Sequence, residues 1–174
     1  MEVIAITADV PTGRKRLFTY LVDLANRPAF LDNFQREFRL SRVDSSGRGA
    51  SARYRIGGPL SWHWAEFEIV ELSAPRKVVE LGRSGRVGRI STRTEFTLED
   101  LGADLTRLTV TVTAHGRWID NLFVTLGGSK WLKRQYRKSL KRLCTLFADG
   151  PTAVAAQRAT VAGLSHGSDP LAFG

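Results

Sequence analysis

A single cysteine, Cys144, stands among 174 residues. That excludes an intramolecular disulfide and a cysteine-rich metal centre, and it leaves Cys144 as a small hydrophobe within a helical pattern. The three histidines, His63, His115 and His166, fall at no metal-ligand spacing, so neither a metal nor another cofactor is expected. Runs of about eighteen apolar residues are missing, and the opening Met-Glu-Val-Ile carries an acid where a secretory leader carries positive charge; both point to a cytoplasmic protein. There is no internal repeat. The glycines of Gly82-Arg83-Ser84-Gly85-Arg86-Val87-Gly88 lie between two strand patterns, without the following helix or Lys-Ser/Thr pair that cradles phosphate, and form a basic turn. The Gly127-Gly128 pair ahead of a helix is too little to imply an anion site.

Acidic residues are also absent between Asp120 and Asp149, where Lys130, Lys133, Arg134, Arg137, Lys138, Lys141 and Arg142 concentrate much of a net charge of +9. Two readings stay open for this segment. Its long stems cover apolar surface beneath a solvated helix face, or they present a docking surface to an anionic membrane. Nucleic acid is the poorer partner, because no aromatic stripe is interleaved with the basic residues. Apolar and charged contents of 43% and 25% are those of an ordinary globular domain.

The hydrophobic pattern changes period along the chain. Residues Val3 to Val10 read as a strand. Thr12 is the expected N-cap of a helix carrying Leu17, Tyr20, Leu21 and Leu24 on one face, which should end near Asn26 because Pro28 disfavours helical geometry at the residue before it. Pro28 to Phe34 is a second, short, aromatic helical turn. From Glu37 the period is two. Tyr54 and Ile56 alternate with arginines; His63, Ala65, Phe67 and Ile69 oppose Trp62, Trp64, Glu66 and Glu68; Val79 and Leu81 read as inward; Thr92, Thr94, Phe96 and Leu98, then Leu108, Val110, Val112 and Ala114, form two further inner faces. One-sided alternation of this kind implies an antiparallel sheet wet on one face. A final helix, Ser129 to Ala148, presents Leu132, Tyr136, Ser139, Leu140, Leu143 and Phe147 opposite its basic side. Residues 1–149 are read as one domain and 150–174 as a flexible tail.

Strand, helix, short helix, strand meander and long C-terminal helix, in that order, resemble the helix-grip architecture of the START-like (SRPBCC) superfamily. That group spans lipid-transfer domains, the birch-pollen allergen family and polyketide cyclases. The local cues are Pro11-Thr12 before the first helix, the aromatic turn from Pro28 to Phe34, and Glu71-Leu72-Ser73-Ala74-Pro75-Arg76-Lys77-Val78-Val79 at the central bend. The resemblance covers Met1 to Ala148 and is strongest to the small bacterial polyketide cyclase, dehydrase and lipid-transport group. It implies an α+β fold, a curved antiparallel sheet of about seven strands wrapped around the last helix, with two short N-terminal helices. No residue matches a catalytic position of the characterised aromatase-cyclases, so it carries over no activity.

A bent sheet closed over one helix should enclose a cavity for a hydrophobic small molecule such as a lipid or polyketide, to bind or to transport. Its expected lining is Tyr54, His63, Phe67, Ile69, Thr92, Thr94, Phe96, Val110, Val112, Leu132, Tyr136, Ser139 and Leu140, apolar with a few hydroxyls to orient an oxygen-bearing ligand. An enzyme is the alternative, a polyketide cyclase or dehydratase with His63 as acid/base and Tyr54 or Tyr136 orienting an oxygen. The plainer account of His63 is a core or rim histidine satisfied by one hydrogen bond, and threonines are good strand formers in any case. Trp62 and Trp64 on the outer face suggest a homodimer contact or a covered patch; a one-residue bulge would instead turn them inward and His63 out.

Overall fold

Alternating apolar and polar residues build seven strands: β1 (Glu2–Val10), β2 (Gln35–Leu40), β3 (Ser51–Gly57), β4 (Trp62–Ser73), β5 (Lys77–Ser84), β6 (Ile90–Gly102) and β7 (Leu105–His115). They form one antiparallel sheet in the order β1-β7-β6-β5-β4-β3-β2, so the first two strands of the chain are its two edges. Helices α1 (Arg14–Val22) and α2 (Pro28–Leu31), with a 3-10 turn at Leu24–Asn26 between them, carry the chain from one edge to the other, and α3 (Ser129–Ala148) covers the concave face. This is the helix-grip α+β arrangement. The computed structural model describes residues 2–57, 62–84, 90–115 and 128–150. The Trp62 side chain, the 85–89 turn, residues 118–127 of the apolar segment before α3 and the 151–174 tail lie outside the described residues.

Sheet parity follows the sequence on most strands. Ala65, Phe67 and Ile69 are buried on β4, Phe96 and Leu98 on β6, and Leu108, Val110 and Val112 on β7, while Trp64 lies outside beneath the Arg53 guanidinium, 4.3 Å from its ring. The exception is β5. Its pairs Val78 with Phe96, Glu80 with Thr94 and Gly82 with Thr92 put those residues on the inner face, and Leu81, expected inside, is 48% exposed. Val79 is buried but lies on the opposite parity from Val78. The β4–β5 register shifts between Ile69 and Glu71, and the strand then turns a carboxylate inward where hydropathy favours a leucine.

The N-terminal helix is also corrected. Gly13, not Thr12, is the N-cap, and the helix stops at Val22 because Asp23 is extended and its carboxylate accepts the Ala25 N–H at 3.1 Å, capping the 3-10 turn. Arg27 takes helical angles (φ −61°, ψ −42°) in spite of Pro28, which occupies the first position of α2.

Helix α3 forms over the residues expected, with Tyr136, Ser139, Leu140, Leu143, Leu146 and Phe147 buried and its basic side outward. It lies along β1 and α2. Its N-terminal half meets Phe34, whose ring stands edge-on to Trp131 (6.2 Å) and Tyr136 (5.1 Å); its C-terminal half meets α1 through Phe147 and Tyr20 (5.1 Å).

Candidate functional site

The inner face of the sheet is apolar along β1 and β7 and becomes polar at its centre. Three strand pairs set this change: Tyr54 opposite Ala65, Phe67 opposite Gly82, and Glu80 opposite Thr94, with Thr92 beside them. Facing them are Arg27 from the junction of the 3-10 turn and α2, Leu31 from α2, Gln35 at the start of β2, and Tyr136 from α3. These residues except Ala65, with Phe96, line a cavity of about 20 Å³. That is room for one water molecule. Among the described residues, therefore, the gap between sheet and α3 is largely filled by side chains around a small polar centre.

Arg27 and Glu80 dominate this centre. Their side chains are 1% and 8% exposed, and Arg27 Nη2 donates to Glu80 Oε1. The guanidinium also stacks on Phe96, 4.4 Å from the ring centroid, and approaches Phe30 at 5.9 Å. Burial pushes the Glu80 carboxyl above its ordinary range, and the attraction of Arg27 opposes this without cancelling it. The Arg27 Nε and Nη1 groups and Gln35 Oε1 are buried without a hydrogen-bond partner among the described residues. The cluster thus has hydrogen-bonding capacity left over after its own ion pair is made.

Both tyrosines add neutral donors. Burial raises the Tyr136 phenol well above its usual range, helped by the nearby Glu80 carboxylate and opposed by Arg27 and by a hydrogen bond from Thr94. The Tyr54 phenol is raised by burial first, then by Tyr136 and Glu80, although part of its side chain reaches solvent. The Tyr54 ring stacks near Phe38 (6.3 Å) and stands edge-on to Phe67 (5.9 Å), making an aromatic wall towards the β2 edge of the sheet.

Of the residues the sequence singled out, Tyr54, Phe67, Thr92, Thr94, Phe96 and Tyr136 come together here. Ile69, Val110, Val112 and Leu140 belong to the apolar core beside the cavity, and Leu132 packs against that core partly exposed. Ser139 is buried with its hydroxyl 2.8 Å from Asn33 Oδ1 and 3.1 Å from the Gln135 carbonyl oxygen, joining α3 to the end of α2. His63 is half-buried on the inner parity of β4, paired with Ile56, two residues before Ala65, and does not line this cavity. Sequence reasoning missed Arg27, Gln35 and Glu80. The one available signal was Glu80, a charge sharing the parity of Val78; a carboxylate on an inner face needs a buried cation. Nothing local marked Arg27 as that cation.

Gly82 fits this centre for lack of space. A Cβ there would stand 2.6 Å from Thr92 Oγ1 and 2.9 Å from the Glu66 carbonyl oxygen, and the backbone atom cannot swing aside. Gly82→Ala is expected to cost about 1–3 kcal/mol through overpacking, seen as a lower urea midpoint with an unchanged slope.

The same fold occurs in solved structures at low sequence identity. TTHA0849 from Thermus thermophilus matches with a TM-score of 0.63 at 16% identity, over 89% of this chain and 98% of that one. DynU16, a protein in the dynemicin biosynthetic locus, matches at 0.61 and 18% identity over 88% of this chain, which spans about half (49%) of DynU16. Major latex-like protein 151 from Panax ginseng gives 0.61 at 9% identity, over 83% and 95% of the two chains. What they share with this chain is the fold. No protein-family model and no curated protein matches the sequence.

Proposed function

We propose that the protein binds a small molecule with an apolar body and an oxygen-bearing end between the sheet and α3, the oxygen directed at the Arg27–Glu80–Tyr136 cluster. The observation that carries this reading is the unspent hydrogen-bonding capacity of Arg27 and Gln35 inside an otherwise apolar interior. A buried polar cluster is costly unless something completes it; a ligand carbonyl, hydroxyl or carboxyl supplies an acceptor for the Arg27 N–H groups, and a hydroxyl or protonated carboxyl also supplies a donor for Gln35 Oε1. The water-sized cavity must widen to admit such a molecule. The aromatic wall is the part suited to move, since Phe38 and Tyr54 lie near the sheet edge and are only partly buried. Burying about 300 Å² of apolar ligand surface is worth roughly 7 kcal/mol at ~25 cal/mol per Å² before ordering costs, enough to offset displacement of two rings. Carriage of a lipid or polyketide fits this reading, as does the occurrence of the fold in a protein from a dynemicin biosynthetic locus.

Native mass spectrometry of protein purified from its own host tests it by looking for a retained small molecule. Tyr136→Phe should keep an apolar fluorescent probe bound while weakening a ligand with an oxygen-bearing end about tenfold, the loss of one buried hydrogen bond. Failure to retain any ligand or apolar probe defeats the proposal.

The second reading is a polyketide cyclase or dehydratase. It is favoured by the convergence of two un-ionised phenols, Tyr54 and Tyr136, on one cavity; its acid/base would be His63, which shares that face of the sheet but lies outside the cavity. Turnover of poly-β-ketones that survives His63→Ala unchanged rejects that role for His63.

A further inference from the structure

We infer that the basic face of α3 docks the protein onto an anionic lipid bilayer, an interaction separate from ligand binding in the interior. Lys130, Arg134, Arg137, Lys138, Lys141 and Arg142 are exposed and Lys133 is partly so. At 100° per residue they fall within about half of the helix circumference, along about 18 Å of its axis. The opposite side is fixed against β1, α2 and the core through Tyr136, Leu140, Leu143 and Phe147, so the charges form a strip on a rigid support. Among the described residues only Arg142 of the seven makes an ion pair, with Asp32. The strip has no acid within it to neutralise its field.

The geometry favours a bilayer over nucleic acid. A straight strip of mostly flexible lysine and arginine side chains suits a planar, diffuse layer of headgroup charge. The one tryptophan on this helix, Trp131, is packed edge-on against Phe34 and unavailable for base stacking. Charge also orients the contact. Asp32 and Asp149 border the groove between α2 and the C-terminal part of α3, together with Lys138, Lys141 and Arg142. The acid-free stretch from Lys130 to Arg137 should therefore lie nearest the membrane. Each basic residue within a Debye length of an anionic surface contributes about fivefold in partitioning.

Co-sedimentation of the full chain with phosphatidylcholine vesicles containing one-third phosphatidylglycerol tests this. Binding is expected to the mixed vesicles, to be absent with phosphatidylcholine alone, and to fall steeply as salt is raised. The quadruple variant Lys130→Gln/Lys133→Gln/Arg134→Gln/Arg137→Gln should lose at least about a hundredfold in partitioning, with its circular dichroism and thermal midpoint near those of the parent. Arg142→Gln, already neutralised by Asp32, should lose little. Equal binding to neutral vesicles, no binding to anionic ones, binding unaffected in the folded quadruple variant, or a DNA duplex that strips the protein from vesicles at equal ionic strength each overturns the proposal.

Discussion

Arg27→Met alone is expected to destabilise the protein by about 3–5 kcal/mol, because it strands the Glu80 carboxylate in the interior without a counter-charge. Few single changes in this chain should cost more, since a typical domain is stable by only about 5–15 kcal/mol. The reciprocal change, Glu80→Gln, strands the guanidinium and should cost a similar amount. Making both changes should recover most of the loss, since methionine fills the space over Phe96 and the amide can bond the surrounding hydroxyls; urea titration of the four proteins in a double-mutant cycle measures this. Additive losses would show that the two groups are not energetically coupled. The pair also sets a pH signature. Glu80 holds its proton more tightly folded than unfolded, so its contribution is complete below the ordinary carboxylate value of 4.5 and is lost as pH rises through the raised value. In Arg27→Met the guanidinium no longer opposes burial, so the Glu80 carboxyl is raised further and the decline above the ordinary carboxylate value should become larger and extend to higher pH. It should vanish in the double variant.

That pair also marks where the sequence stops being informative. Helix α3, the positions of the strands along the chain and the inner faces of β4, β6 and β7 were legible because each rests on a local period: a stripe every 3.6 residues, or alternation anchored by charged neighbours such as Glu66 and Glu68. On β5, hydropathy nominated Leu81, and the structure turns Glu80 inward instead. The reason is 53 residues away in Arg27, and a long-range pairing leaves no local pattern. Tyr54, Phe67, Thr92, Thr94, Phe96 and Tyr136 could be placed on the right surfaces by parity, but parity cannot say which of a dozen inward residues surround one cavity. That depends on register: Glu80 opposite Thr94, and Tyr54 two residues from His63's partner Ile56. His63, chosen for its chemistry, sits near the start of its strand and outside the polar centre. The open chamber expected from a bent sheet and a covering helix is, among the described residues, a centre packed by Phe67, Phe96 and Tyr136.

The packing of that centre against α3 depends on one ring. Phe34 is 1% exposed, and its ring stands between the N-terminal half of the helix and the start of β2, edge-on to both Trp131 and Tyr136. Its carbonyl oxygen accepts the Gly57 N–H at 3.2 Å, which ties the same residue to the end of β3. Phe34→Ala should therefore cost about 3–5 kcal/mol, the sum of lost burial, an unfilled cavity and two aromatic contacts. Phe34→Leu, which restores most of the apolar area without the ring edges, should cost only about 1–1.5 kcal/mol. The loss should also be uneven along the helix. The C-terminal half keeps Leu143 at 0% exposure and the Phe147–Tyr20 contact, so amide exchange in Phe34→Ala should accelerate around Trp131 to Tyr136 before it does around Leu143 to Phe147. Uniform acceleration along the helix would mean that α3 opens as one unit. Confined acceleration would mean that the end of α3 carrying Tyr136 can part from the polar centre while the other end stays docked, which would open a second approach to Arg27 besides displacement of Phe38 and Tyr54.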